Sequence, residues 1–256
     1  MRRWLMIAGY LGLALTAPAV WAVGADAVVE WSRRVELSVP VPGVIAQVNV
    51  DIGDRVKRNQ VLLALDDAPF KAAVTQAQAL LTQRKLESSE AERDLKQAQA
   101  LYDRTVLSTV DLENAKSKQA QAAAGQLAAS AALDEARWRL RVSAIRAPYD
   151  GIVIQRQAQP AQTVAAEIKP QTLLVFAAAD EYIARARLPA ESIAGIAAGQ
   201  AASVTLAGEK FPAKVKRVGL EPVTHADQAN PQYEVEWVFT TSKVLRAGQR
   251  VTIDIP

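Results

Sequence analysis

The chain has 256 residues, 30 Lys and Arg against 27 Asp and Glu, one histidine and no cysteine. That inventory excludes disulfides, thiol nucleophiles and thiolate metal sites. The two signs of charge are interleaved and never form a block of the kind that binds nucleic acid. Half of the residues are apolar but only 5% are aromatic, a balance that suits close-packed helices better than an aromatic-lined ligand pocket.

In chain order, Arg2 and Arg3 precede an apolar run from Trp4 to Leu15, then Ala17, Pro18 and the small-residue site Val20-Trp21-Ala22. This pattern predicts a signal peptide over residues 1–22, cleaved after Ala22. The run is shorter than the ~20 residues of a spanning helix. An uncleaved N-terminal anchor is the alternative, because apolar residues continue to Val23. No cysteine follows the run, so a lipid-anchored lipoprotein is not expected. The remaining length is ample for one or two cores.

Residues 23–67 read as half of a compact β module. Val44, Ala46, Val48 and Val50 share one parity after Pro42-Gly43; Asp51-Ile52-Gly53-Asp54 spells a turn, and Val61 to Leu65 is an apolar strand. Residues 68–144 change texture. Pro69 stands at the start, Gly125 is the only glycine, and strong helix formers dominate. One heptad seam takes Val74, Leu81, Ser88, Leu95 and Tyr102 with Phe70, Ala77, Arg84, Ala91 and Ala98. The other takes Leu112, Gln119, Gln126, Leu133 and Leu140 with Ala115, Ala122, Ala129 and Ala136. Apolar positions every 3.5 residues predict a supercoiled pair of helices, weakened at Arg84, Gln119 and Gln126. Ser108 with Asp111 spells a capping box, so the helices form one antiparallel hairpin of about 50 Å.

Residues 145–177 return to strands. The turn Arg146-Ala147-Pro148-Tyr149-Asp150-Gly151 leads into Gly151-Ile152-Val153-Ile154-Gln155, which echoes Gly43-Val44-Ile45-Ala46-Gln47. Val56 lies thirteen residues past Gly43, and Val164 thirteen past Gly151. This predicts one pseudo-symmetric module with the hairpin inserted between its halves. Residues 178–256 contain five candidate strands, Tyr182–Leu188, Ala202–Leu206, Phe211–Val218, Gln232–Phe239 and Arg250–Ile255, with two alike turns at Gly199-Gln200 and Gly248-Gln249. A small barrel is expected. The fold class is therefore α+β: a lipoyl-like β-sandwich split by a long antiparallel α-helical hairpin, followed by a small β-barrel domain.

These pieces, in this order, resemble the periplasmic adaptor subunits of tripartite efflux and secretion systems, the HlyD-like membrane fusion proteins. Pro42-Gly43-Val44-Ile45 through Gly53-Asp54-Arg55-Val56 is similar to the first lipoyl half, and residues 146–151 are similar to the re-entry into the second. The two Gly-Gln turns resemble those of the family's barrel. Leu101 and Ser108 match the leucine and serine of the hairpin-tip motif that touches an outer-membrane channel. That motif starts with an arginine four residues before the leucine, and here Gln97 stands in its place. Glutamine cannot make the forked, charged contact of a guanidinium. Either Arg93 or Arg104 rebuilds the contact, or the outer partner differs. Larger members add a membrane-proximal domain built from both chain ends, whereas this sequence stops after its last strand.

The resemblance implies a homo-oligomeric ring in the periplasm, joined through its barrel to an inner-membrane transporter of resistance-nodulation-division (RND) or ATP-binding-cassette (ABC) type. The docking residues it implies are Gln97, Leu101, Arg104 and Ser108. No catalytic residue, cofactor or metal is expected, and no nucleic acid. Lys71 falls where a helix opens behind Pro69 and not at the exposed turn of a lipoyl or biotin carrier. His225 alone cannot make a triad, and it reads as a solvated loop residue. Asp66-Asp67 and Asp134-Glu135 read as helix-start and solvated-face charges. Met1 and Met6 leave with the signal, so no soft metal ligands remain. Two other readings stay open: a periplasmic ligand-binding module serving a transporter, and an envelope spacer.

Overall fold

A computed structural model describes residues 23–165, 171–223 and 230–255. The expected signal peptide and His225 lie outside the described residues. The strands and helices in chain order are β1 (Val23–Trp31), β2 (Val35–Leu37), β3 (Gly43–Val48), β4 (Arg55–Val56), β5 (Val61–Leu65), α1 (Ala68–Tyr102) and α2 (Thr109–Val142). They continue with β6 (Ala144–Arg146), β7 (Gly151–Arg156), β8 (Thr163–Val164), β9 (Leu174–Ala178) and β10 (Glu181–Pro189). The last are α3 (Ala190–Ile193), β11 (Ala201–Leu206), β12 (Glu209–Pro222), β13 (Gln232–Thr240) and β14 (Arg250–Ile255). The chain divides into two units, Ser32–Ala179 and the pair Met1–Trp31 with Asp180–Pro256.

Unit Ser32–Ala179 holds a sandwich of two four-stranded sheets, β2-β9-β7-β4 and β6-β5-β3-β8. Ile45, Leu62, Leu63, Leu174 and Phe176 are buried between them. The halves exchange strands: β4 pairs with β7 of the second half, and β8 pairs with β3 of the first. Equivalent turns precede these crossing strands. Asp54 accepts the Asp51 N–H at 2.7 Å, and Gln162 accepts the Gln159 N–H at 2.9 Å. Gly53 and Ala161 hold the left-handed position of each turn, at φ +92° and +65°.

The helical hairpin interrupts a β-hairpin. Strands β5 and β6 pair antiparallel on either side of it, Leu63 opposite Ile145 and Ala64 opposite Ala144. Ala144 therefore belongs to the sandwich and not to the helical insertion, whose helices end at Val142. Every expected seam position is buried or half-buried except Arg84 and Tyr102. Leu81, Ala129 and Leu133 form the packed centre of the pair. Lys71 stands in the first turn of α1 with its ammonium 2.7 Å from Asp67, a helix-start ion pair.

The other unit is a closed barrel in the order β1-β10-β13-β12-β11-β14. The expectation that residues 23–67 form a sandwich half is corrected here for Val23–Trp31, which pairs with β10 and β14. Five strands leave two open edges, and closure removes both. Strand β1 is suited to this closure because Ala25, Ala27 and Val29 point inward with alternating period, beside Trp237 and Tyr182 in the core. The boundary at 178 also shifts, since Ala178 ends β9 of the sandwich. The two Gly-Gln turns are alike in structure: Gln200 accepts the Ala197 N–H at 3.0 Å and Gln249 the Arg246 N–H at 3.1 Å. Gly199 and Gly248 supply positive φ in both.

Candidate functional site

The far end of the hairpin is the candidate site. Helix α1 closes in a Schellman turn, with the Thr105 N–H bonded to the Tyr102 carbonyl at 2.8 Å and the Val106 N–H to the Leu101 carbonyl at 3.0 Å. The left-handed residue of this turn is Thr105, at φ +60°. Glycine is usual there, and a β-branched residue carries backbone strain. The residue after it normally packs back on the helix. Here Val106 is instead 72% exposed, and Val110 across the turn is 69% exposed.

Ser108 starts α2 in extended conformation (φ −75°, ψ 156°). Its hydroxyl oxygen accepts the Asp111 N–H at 3.2 Å and donates to the Asp111 carboxylate at 2.7 Å. The cap satisfies one orphan donor of the first turn, and the Asp111 charge complements the helix dipole. Ser108 is thus engaged locally in both directions.

Below the turn lies an open groove of about 340 Å³ lined by Gln97, Leu101, Leu107 and Asp111, among others. The structure brings Gln97 and Leu101 together there, one turn apart on α1. Arg104 is exposed on the turn and is not part of the groove wall. Arg93 is also exposed, with its guanidinium 3.5 Å from Ser89 on its own helix. A cross-hairpin ion pair, Lys118 to Asp94 at 3.0 Å, closes the groove on the stem side. Its hydrogen bond holds the Lys118 ammonium above the ordinary lysine value. Val106 and Leu107 lie inside the stretch Leu101 to Ser108 that the sequence marks as the tip, and Val110 lies outside it. The exposed valines flank the capping motif, and that position was the available signal.

The site presents the apolar side chains of Leu101 and Leu107 between the polar side chains of Gln97 and Asp111. Among the described residues no three His, Cys, Asp or Glu side chains are grouped to hold a metal. No helix among them is long and apolar enough to cross a membrane.

A barrel-sandwich hybrid opened at one β-turn to carry a two-helix arm defines a class, that of the membrane fusion proteins. Residues 33–174 match the model of the CzcB-like, barrel-sandwich hybrid domain, and the chain belongs to that family. It is 28% identical over 203 residues to the macrolide export protein MacA of Escherichia coli O157:H7, covering 73% of this chain and 55% of that one. The chain thus spans about half the length of this relative. Among solved structures, the membrane fusion protein Spr0693 from Streptococcus pneumoniae R6 superposes with a TM-score of 0.71 at 16% identity, over 92% of this chain and 99% of that one. A MacA-MexA chimeric protein with the Pseudomonas aeruginosa MexA α-hairpin domain gives 0.67 at 25% identity, over 91% and 78%.

Proposed function

We propose that this chain is a non-enzymatic periplasmic adaptor, linking an inner-membrane transporter of RND or ABC type to an outer-membrane channel. Residues 1–22 direct export, the sandwich and barrel build a homo-oligomeric ring, and the hairpin reaches outward. Gln97, Leu101 and Arg104 form the channel-docking tip, and Ser108 holds it in place as the cap of α2. The transporter supplies the energy and the adaptor the sealed path.

One observation carries this reading. The arm is grafted between two paired strands, β5 and β6, and ends in exposed apolar side chains, Val106 and Val110. A two-helix spur about 50 Å long has too little core of its own to be a stabilising element, and apolar groups at its end favour a partner over water. The kinship with a macrolide export protein supports the same function. Crosslinking in intact cells followed by co-purification tests it. The expected result is recovery of one inner-membrane transporter and one outer-membrane channel. Recovery of neither, with the chain found only as a free ligand-binding protein, overturns it.

A further inference from the structure

The turn by which the chain returns from the arm to the sandwich, residues 147–150 between β6 and β7, is fastened on two sides. On one side it is tied to the β4–β5 turn. The Ala147 N–H bonds the Gln60 carbonyl at 3.0 Å, the Asn59 N–H bonds the Ala147 carbonyl at 2.8 Å, and the Asp150 carboxylate accepts the Arg58 N–H at 2.7 Å. On the other side it reaches both ends of its own unit. The Tyr149 hydroxyl donates to the Arg33 carbonyl, and the Arg33 guanidinium carbon lies 4.8 Å from the centre of the Tyr149 ring. The Ala179 N–H bonds the Asp150 carbonyl at 3.4 Å. The Ala178 N–H bonds the Ser32 carbonyl at 3.1 Å, so the two ends are also joined to each other.

The chain passes out of the unit at these ends, at Trp31–Ser32 and at Ala179–Asp180. The first passage is held in a costly shape. Arg33 is left-handed at φ +49°, a conformation in which the β-carbon crowds the following carbonyl. Ser32 is fully buried, but Arg33 and Arg34 are exposed, so side-chain burial stops one residue short of the strained position. Tyr149 supplies the hold from that point. Its ring is set in turn by Phe176, a fully buried residue of β9 whose ring centre is 5.2 Å away. Burial raises the Tyr149 pKa against the opposing Arg33 charge, and the hydroxyl keeps the proton it donates.

We propose that Tyr149 is a positioning residue, the clasp that locks Arg33 and so fixes where the chain enters the sandwich. The functional half of this proposal rests on the adaptor reading. There, a pull on the arm runs down α2 and β6 directly into the turn that carries Tyr149. The clasp passes it to both ends of the unit, and transport requires the clasp closed.

Trypsin reads the clasp in the purified full chain, because it cuts after Arg33 and Arg34. The bond after Arg104, in the exposed tip turn, is the internal reference. Tyr149→Phe removes one hydrogen bond and keeps both ring contacts. Cleavage after Arg33 and Arg34 relative to Arg104 should then rise about fivefold, the shift in opening that one neutral hydrogen bond controls. Tyr149→Leu also removes the ring face and should raise the ratio further. The Tyr149→Phe chain should melt within a few degrees of the wild type. In cells, transport should fall in the same order, wild type above Tyr149→Phe above Tyr149→Leu, while the tip crosslink to the channel persists. Equal cleavage ratios in the three chains, or transport that does not follow them, overturn the clasp. A wild-type chain without a channel crosslink strikes the adaptor reading instead, and the tryptic ratios do not depend on it.

Discussion

Val56 lies directly across from Gly151 in the β4–β7 pair, and the pairing recurs with the halves exchanged, Gly43 across from Val164. Thirteen residues is therefore the length of chain that carries each half from its own sheet into the other. Each glycine marks where a strand enters close packing, but the two sites are not equally crowded. A β-carbon at Gly151 would lie 2.2 Å from the Ala177 carbonyl oxygen and 2.3 Å from the Phe176 ring. At Gly43 it would meet the end of the Leu65 side chain at 2.9 Å.

Gly151→Ala should therefore cost ~3 kcal/mol or more, since backbone and a fully buried ring must both move. Gly43→Ala should cost about 1–2 kcal/mol, because the Leu65 tip can turn aside. Thermal unfolding should rank the two in that order, with the first lowering the melting temperature by on the order of 10 °C. Equal effects would mean that the halves are not packed as described.

Ala161 occupies the left-handed position that Gly53 holds in the equivalent turn. Ala161→Gly removes the steric cost of that conformation but gives more freedom to the unfolded chain. The expected net gain is about 0.5 kcal/mol, read from urea midpoints at constant slope.

Replacing residues 66–142 by Asn-Gly should leave a folded β protein, because the Leu65 N–H already bonds the Ser143 carbonyl at 2.9 Å. Phe70 and Val142 pack on the sandwich core, so some stability is lost with them. Far-ultraviolet spectra should lose helix and keep strand, and transport should vanish. Complete unfolding would show that the sandwich depends on its arm.

Much of this was legible in the sequence because it is local. Heptad spacing located the seam, with Arg84 its one outward interior residue, and Ser108 with Asp111 marked the second helix start. The matched glycines and valines announced the duplicated sandwich. The barrel's sixth strand was not legible, because Val23–Trp31 pairs with strands more than 150 residues away and short alternation does not name its partner. Strain at Thr105 was also hidden, since nothing in the residue type asks for positive φ.

Ser108→Ala separates capping from docking. Losing the cap should cost about 1 kcal/mol and leave transport largely intact, because the Ser108 hydroxyl is already engaged with Asp111. Thermal melts and a resistance assay on the same variant read the two effects apart. Loss of transport at unchanged stability would assign the hydroxyl to the channel contact.

The central claim is that the hairpin tip docks on an outer-membrane channel, and Leu101 tests it most directly. Leu101 is half-buried on the groove wall, so Leu101→Asp removes the apolar knob with a modest loss of hairpin packing. In cells, crosslinking between the tip and the channel is measured for the wild-type chain and for Leu101→Asp, with melting temperatures taken on the purified proteins. The account predicts that the variant melts within a few degrees of the wild type and loses both the crosslink and transport. Full crosslinking and transport by a folded Leu101→Asp chain would contradict it.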